Sequence, residues 1–313
     1  MNEHLINVNK IDSSTSKHTM HQFEMTPRGP FSLTTTAQYF GDWASIGPDR
    51  TSLALPFPVE GWRTSAIATL RQGQDNRIYG EVYADGEDAE QAWQQALAVF
   101  SLDCDGTDWP TVGQRDPLIG KLQNDYHFLR PVLFHSPYEA AAAFIIGHRI
   151  SIKQARVLRQ AIAKEIGEQL QVGETVLSAF PQPQVLRELD SFKGISPEKI
   201  ERLHGIAQSA LDGRLDRSYL RSLPIEKALA ELRTIRGVGD FFSQAILMRG
   251  AGLVDSLTND ETTKQAIQIL RQMPKIPDQA MVEQIAETWR PYRMWTAVQL
   301  HVWLRNEMGG PRR

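Results

Sequence analysis

The chain has little cysteine and no long apolar run. One cysteine, Cys104, in 313 residues excludes an intramolecular disulfide framework and leaves no four-thiolate site for zinc or an iron–sulfur cluster. No segment reaches the roughly 20 apolar residues that span a bilayer, so no membrane partner is expected. The N-terminus lacks the basic-then-apolar pattern of a secretory signal. The eight histidines are scattered, without H-x3-H or H-E-x-x-H spacing, so no catalytic metal and no cofactor is expected. A strong charge of either sign is also missing, but the net −3 hides an asymmetry. Counting Lys and Arg against Asp and Glu, residues 1–120 carry −8, residues 121–220 carry +2 and residues 221–313 carry +3. A nucleic-acid surface would therefore lie on the C-terminal two thirds.

What is present reads as an ordered sequence of units. Residues 1–27 are polar and rich in Ser and Thr, and a mobile tail is expected there. Leu53–Pro58, Thr64–Arg71 and Arg77–Ala84 alternate and carry β-branched and aromatic residues, with turn residues between them. Asp88–Phe100 has helical periodicity. A small sheet-plus-helix domain is expected over 28–112, followed by a helical region over 113–313. In that region Ser136-Pro-Tyr-Glu139 is a capping-box start, and Ser151 and Ser196 can cap further helices. Later helices are expected over 225–234, 240–249, 261–272, 279–288 and 291–305. The segments 171–184 and 190–196 read as connections.

Leu232–Asp260 carries the chemistry. Ile235-Arg-Gly-Val-Gly239 separates two runs of helical spacing. Glycine admits a positive φ and close backbone approach. A helix starting just after Gly239 presents free N–H groups and the positive end of its dipole, which suits a phosphate. A plain helical turn with a glycine cap would read the same way.

Four segments beyond residue 115 give this hairpin a context. Tyr138-Glu-Ala-Ala-Ala-Ala-Phe-Ile-Ile-Gly-His-Arg-Ile-Ser151 resembles the pattern F/Y-E-x-L-x-x-A-I-x-x-Q-Q-I-S. Phe192-Lys-Gly-Ile-Ser196 resembles a G-L-S-x-x-K turn. The hairpin is third, and Arg290–Trp303 resembles the helix W-x-P-W-R-S-x-A-x-x-x-x-W. Together they resemble the helix-hairpin-helix DNA glycosylases, in the branch like DNA-3-methyladenine glycosylase II. The implied fold is α+β: a small N-terminal antiparallel sheet and helix domain, then an all-helical pair of domains carrying the hairpin. The implied activity is hydrolysis of the N-glycosidic bond of an alkylated purine flipped out of double-stranded DNA. A monomer acting on damaged duplex in a bacterial cytoplasm, near the nucleoid, is expected.

The resemblance also distributes roles. Asp260 is the expected catalytic acid, with Lys264 four positions on, and stabilises an oxocarbenium-like sugar; Glu261 is its understudy and Asp255 a third carboxylate nearby. Asp260 read only as a helix cap remains the alternative. Gly237, Val238 and Gly239 would hold a phosphate. Arg149, after His148, would fill the gap left by the flipped base, or be a plain surface arginine. Phe241 and Trp303 would line the base pocket by stacking and cation–π contact, or else pack in a core. Tyr39 or Phe40 would add to the pocket from the N-terminal domain. Lyase relatives carry a lysine where this chain has Phe241, which points to a monofunctional enzyme. An oxidised-purine glycosylase and a non-catalytic hairpin DNA-binding protein are the other readings.

Overall fold

The computed structural model describes residues 19–40, 45–46 and 52–308. A five-stranded antiparallel sheet opens the chain, formed by β1 (Thr19–Met25), β2 (Ser45–Ile46), β3 (Leu53–Pro58), β4 (Ser65–Gln72) and β5 (Ile78–Ala84) in the order β1-β5-β4-β3-β2. The three strands expected from alternation are present within a residue or so. Two helices belong to this unit, α1 (Leu33–Phe40) and α2 (Ala89–Val99). On β5, Ile78, Gly80, Val82 and Ala84 face inward and Glu81 faces solvent. Helix α2 lays Ala92, Trp93, Ala96 and Leu97 on that inner face. The Trp93 ring lies so close to the strand that a Cβ at Gly80 would sit 2.2 Å from it, which explains a glycine in mid-strand.

The tail reading of residues 1–27 needs correction. Thr19–Met25 is β1, paired with β5 from Thr19↔Ala84 to Met25↔Ile78. Its polar composition suits an edge strand with one face in solvent. Phe23 anchors it by stacking on Trp93 at 5.5 Å. Residues 1–18 lie outside the described residues.

The helical part has two cores. The first gathers α5 (Pro137–Gly147), α8 (Pro197–Leu211), α10 (Ile225–Arg233) and α11 (Asp240–Arg249) around Tyr138, Ile145, Leu203, Leu232 and Ile246. The second joins α3 (Trp109–Arg115) and α4 (Pro117–Asp125) to the C-terminal helices α12 (Glu261–Leu270), α13 (Gln279–Ala286) and α14 (Arg293–Glu307) around the fully buried Trp109, Trp289 and Trp295. The expected break at residue 112 thus cuts α3, whose core partners come from the far end of the chain. The fifteen-residue α6 (Ile152–Ile166) and the short α7 (Pro183–Arg187) and α9 (Arg217–Ser222) complete the set of α-helices among the described residues.

One element departs from the all-helical expectation. A hairpin of β6 (Gln169–Val172) and β7 (Thr175–Ser178) sits inside the segment read mostly as a connection. Leu170 and Val172 pack with Ala54 and Ile67 of the sheet. Trp62, in the β3–β4 turn, crosses the other way. Its ring packs edge-on to Tyr138 at 5.1 Å and its Nε1 donates to the Ala210 carbonyl at 3.0 Å. Sheet and helices are fastened at both places. Among the described residues no helix is long and apolar enough to cross a membrane.

Candidate active site

Helix α11 begins at Asp240 with Gly239 as its cap. Gly237 holds φ at +90°, a value other residues avoid, while Gly239 sits at −91°. A Cβ at Gly237 would press on Arg202 at 2.8 Å and Ile145 at 3.2 Å; at Gly239 it would meet nothing within 4 Å. Gly237 therefore makes the turn, and Gly239 keeps the helix start open. Val238 is buried and its N–H donates to the Ile235 carbonyl, closing the hairpin.

A second turn stands near the first. Helix α5 ends at Gly147, and the Lys199 ammonium caps it by donating to the Ile146 carbonyl at 2.8 Å, a favourable place for a cation. Arg149 follows in the left-handed region at φ +59° and is exposed. Such a conformation costs a non-glycine residue about 1–2 kcal/mol. Ser151 then starts α6 with a full capping box to Gln154. Burial first, then the charges of Arg149, Arg202 and Lys199, pushes the His148 imidazole below its usual range.

Between the two helical cores lies a cleft of about 1060 Å³. Phe134, Phe144 and Phe242 form its aromatic wall, with Phe144 stacked on Phe242 at 5.6 Å and 18°. Arg149 and His148 stand on one side, and Thr262 and His301 on the other. Tyr39 reaches the cleft from the N-terminal unit; the side chain of Phe40 lies outside the described residues.

Asp260 caps α12 next to the cleft-lining Thr262 and His301 and is held on both oxygens. Oδ1 accepts from the Thr263 N–H at 2.8 Å and meets His301 Nε2 at 3.0 Å. Oδ2 accepts from the hydroxyls of Thr263 at 2.8 Å and Thr258 at 3.0 Å. Burial raises its proton affinity, but the hydrogen bond from His301 and the two bonds from Thr263 outweigh this. The carboxyl ends well below the ordinary carboxylate range and is ionised at neutral pH. The other two acids are differently engaged. Glu261 is largely exposed and pairs with Lys264 at 2.9 Å. Asp255 bridges Arg290 and Arg293 at 2.5 and 2.7 Å, tying α14 to the loop before α12.

Two aromatic expectations land elsewhere. Phe241 is 57% exposed beside the hairpin, and its neighbour Phe242 is the one on the cleft wall. Trp303 packs against the C-terminal core. Two residues turn a helix by about 200°, so His301, on the opposite face of α14, meets the cleft instead. The motif's own spacing could have shown this, because the pattern counted from Trp289 ends on His301. Thr263 is fully buried, its hydroxyl satisfied by Asp260. A buried pair, His135 Nδ1 to Glu139 Oε2 at 2.7 Å, also lines the cleft and was not anticipated. Among the described residues no group of His, Cys, Asp and Glu is arranged to hold a metal.

No family model matches the chain. It is 23% identical over 206 residues to a DNA-3-methyladenine glycosylase of Bacillus subtilis, a match covering 64% of this chain and 68% of that one. Its fold is shared with the 3-methyladenine DNA glycosylase of Archaeoglobus fulgidus, with a TM-score of 0.72, 16% identity and coverage of 92% and 99% of the two chains. The 8-oxoguanine glycosylase/lyase of Clostridium acetobutylicum, solved with double-stranded DNA containing cytosine opposite 8-oxoguanine, gives 0.65 at 17% identity, covering 94% and 99%.

Proposed function

From the likeness to DNA-3-methyladenine glycosylases in sequence and fold, we propose that the chain is a helix-hairpin-helix DNA glycosylase that hydrolyses the N-glycosidic bond of an alkylated purine flipped out of double-stranded DNA. The observation that carries this reading is Asp260, an ionised carboxylate locked by Thr258, Thr263 and His301, the last of which lines an aromatic-walled cleft. A fixed anion stabilises an oxocarbenium-like sugar without having to reorganise as the charge develops. A phosphate docks at the open start of α11, where dipole and N–H groups favour it. Arg149, projecting from a strained turn beside the cleft, fills the vacated stack. The base lies against Phe134, Phe144 and Phe242. Phe241 occupies the position where an amine would form a Schiff base, so the reaction stops at hydrolysis.

The test is base release from duplexes carrying 3-methyladenine, hypoxanthine or an oxidised purine. Asp260→Asn should cut release by at least about 100-fold while leaving duplex binding nearly unchanged. Glu261→Gln, at an exposed site, should release base as wild type does. Loss of activity in Glu261→Gln with retention in Asp260→Asn would reverse the assignment. A wild type that shifts duplex on a gel but releases no base from any lesion would mark a binding protein.

A further inference from the structure

Hydrolysis needs an acceptor for the proton of the attacking water, and Asp260 is poorly placed to be it. An ionised carboxylate offers about four lone-pair positions. Here the Thr263 N–H, the Thr263 hydroxyl, the Thr258 hydroxyl and His301 Nε2 occupy all four. No position is left for a water. The low proton affinity that these bonds impose on the carboxyl works in the same direction.

His301 has what Asp260 lacks. A carboxylate only accepts, so the nitrogen facing it, Nε2, carries a hydrogen. Thr263 Oγ1, 2.9 Å from the same nitrogen, gives its own hydrogen to Asp260 and so receives rather than competes. In the neutral ring this leaves the lone pair on Nδ1. His301 is 34% exposed and lines the cleft, and no residue described in the structure is hydrogen-bonded to Nδ1.

We propose that His301 Nδ1 accepts the proton of the water that attacks the sugar, with Asp260 and Thr263 holding the ring through Nε2. The proposal rests on the glycosylase reading of the same site. In the step, the C1′–N bond breaks and its electron pair leaves with the base. The water oxygen bonds to C1′, and one water proton passes to Nδ1. Asp260 faces first the sugar cation and then the imidazolium. The proton goes on to solvent when a cationic base has departed neutral, or to the base itself when that base leaves as an anion. Asp260 thus serves as electrostatic stabiliser and ring holder, and His301 as the base.

The experiment compares wild type, His301→Gln and His301→Ala in single-turnover base release at saturating enzyme. Duplex affinity and thermal melting are measured alongside. Glutamine keeps an N–H for Asp260 but has no basic nitrogen, so His301→Gln should be about 100-fold slower with unchanged duplex affinity. Imidazole in the buffer should accelerate His301→Ala in a concentration-dependent way. A His301→Gln rate within about threefold of wild type would leave the ring a positioning role only and overturn the proposal, given the usual size of a general-base contribution. So would a His301→Ala protein that melts like wild type and ignores imidazole. Failure of the glycosylase reading would be seen separately, as wild type that releases no base at all.

Discussion

Thr263→Val isolates what the site contributes to folding. Valine is close in shape to threonine and shares its β-branched helix behaviour, so the change removes the hydroxyl and little else. Thr263 is fully buried, and its hydroxyl donates to Asp260 Oδ2 at 2.8 Å. The carboxylate keeps its Thr258, Thr263 N–H and His301 contacts, so no orphaned charge is created. A hydrogen bond to an ionised acceptor is worth about 1.5–3 kcal/mol. Taking about 2 kcal/mol, and an unfolding entropy near 2.1 cal/mol/K per residue, Tm should fall by about 3 °C if the chain unfolds as one unit. The pH dependence follows from the lowered carboxyl. Its folded-state value lies below the ordinary 3.8, so its stabilisation is present above the unfolded value and is lost as pH falls through the folded one. The gap between wild type and Thr263→Val should therefore be constant from neutral pH down to about 4 and narrow below that. Urea unfolding across that range is the assay. A gap under about 0.5 kcal/mol at neutral pH, which is the range of a neutral surface change, would refute the reasoning. So would a gap that persists unchanged where Asp260 is protonated.

Two further outcomes follow from the hairpin. Gly237→Ala should lower unfolding free energy by about 1–2 kcal/mol, because φ there is +90° and the new Cβ meets Ile145 and Arg202, whereas Gly239→Ala should stay within about 0.5 kcal/mol of wild type. Any loss in Gly239→Ala should appear in duplex affinity, read by titration. Borohydride added during turnover should trap no protein–DNA adduct, since Phe241 offers no amine; a trapped adduct would refute the hydrolysis-only reading.

Much of this site was legible because its parts are local. Gly237, Gly239, Ser151 and Asp260 each announce a turn or a helix start within a few residues, and the structure places those turns where spacing puts them. Helix α11 and helix α14 were readable as elements, but not the face each turns to the cleft. Neither carries a clear polar stripe to orient it, so the positions that line the cleft, Phe242 and His301, were not told apart from Phe241 and Trp303. The role of Thr263 depends on His301, 38 positions away. β1 was hidden by its polar outer face, and α3 by core partners at the opposite end of the chain. Non-local pairings of this kind leave no periodic trace.

The fastening of sheet to helices has a mechanical consequence. Trp62 reaches into the helical core, and the β6–β7 hairpin packs back on the sheet, so the two units cannot swing apart without exposing apolar surface at two separate places. The wall of the cleft built by the first helical core is therefore tied to the sheet. On the glycosylase reading, it is the duplex that must deform. Smoothly bending a site of 20–30 base pairs costs on the order of 1–6 kcal/mol. A lesion that weakens stacking lowers that cost, so damaged sites would be favoured by how readily they yield, even before any atom of the base is touched.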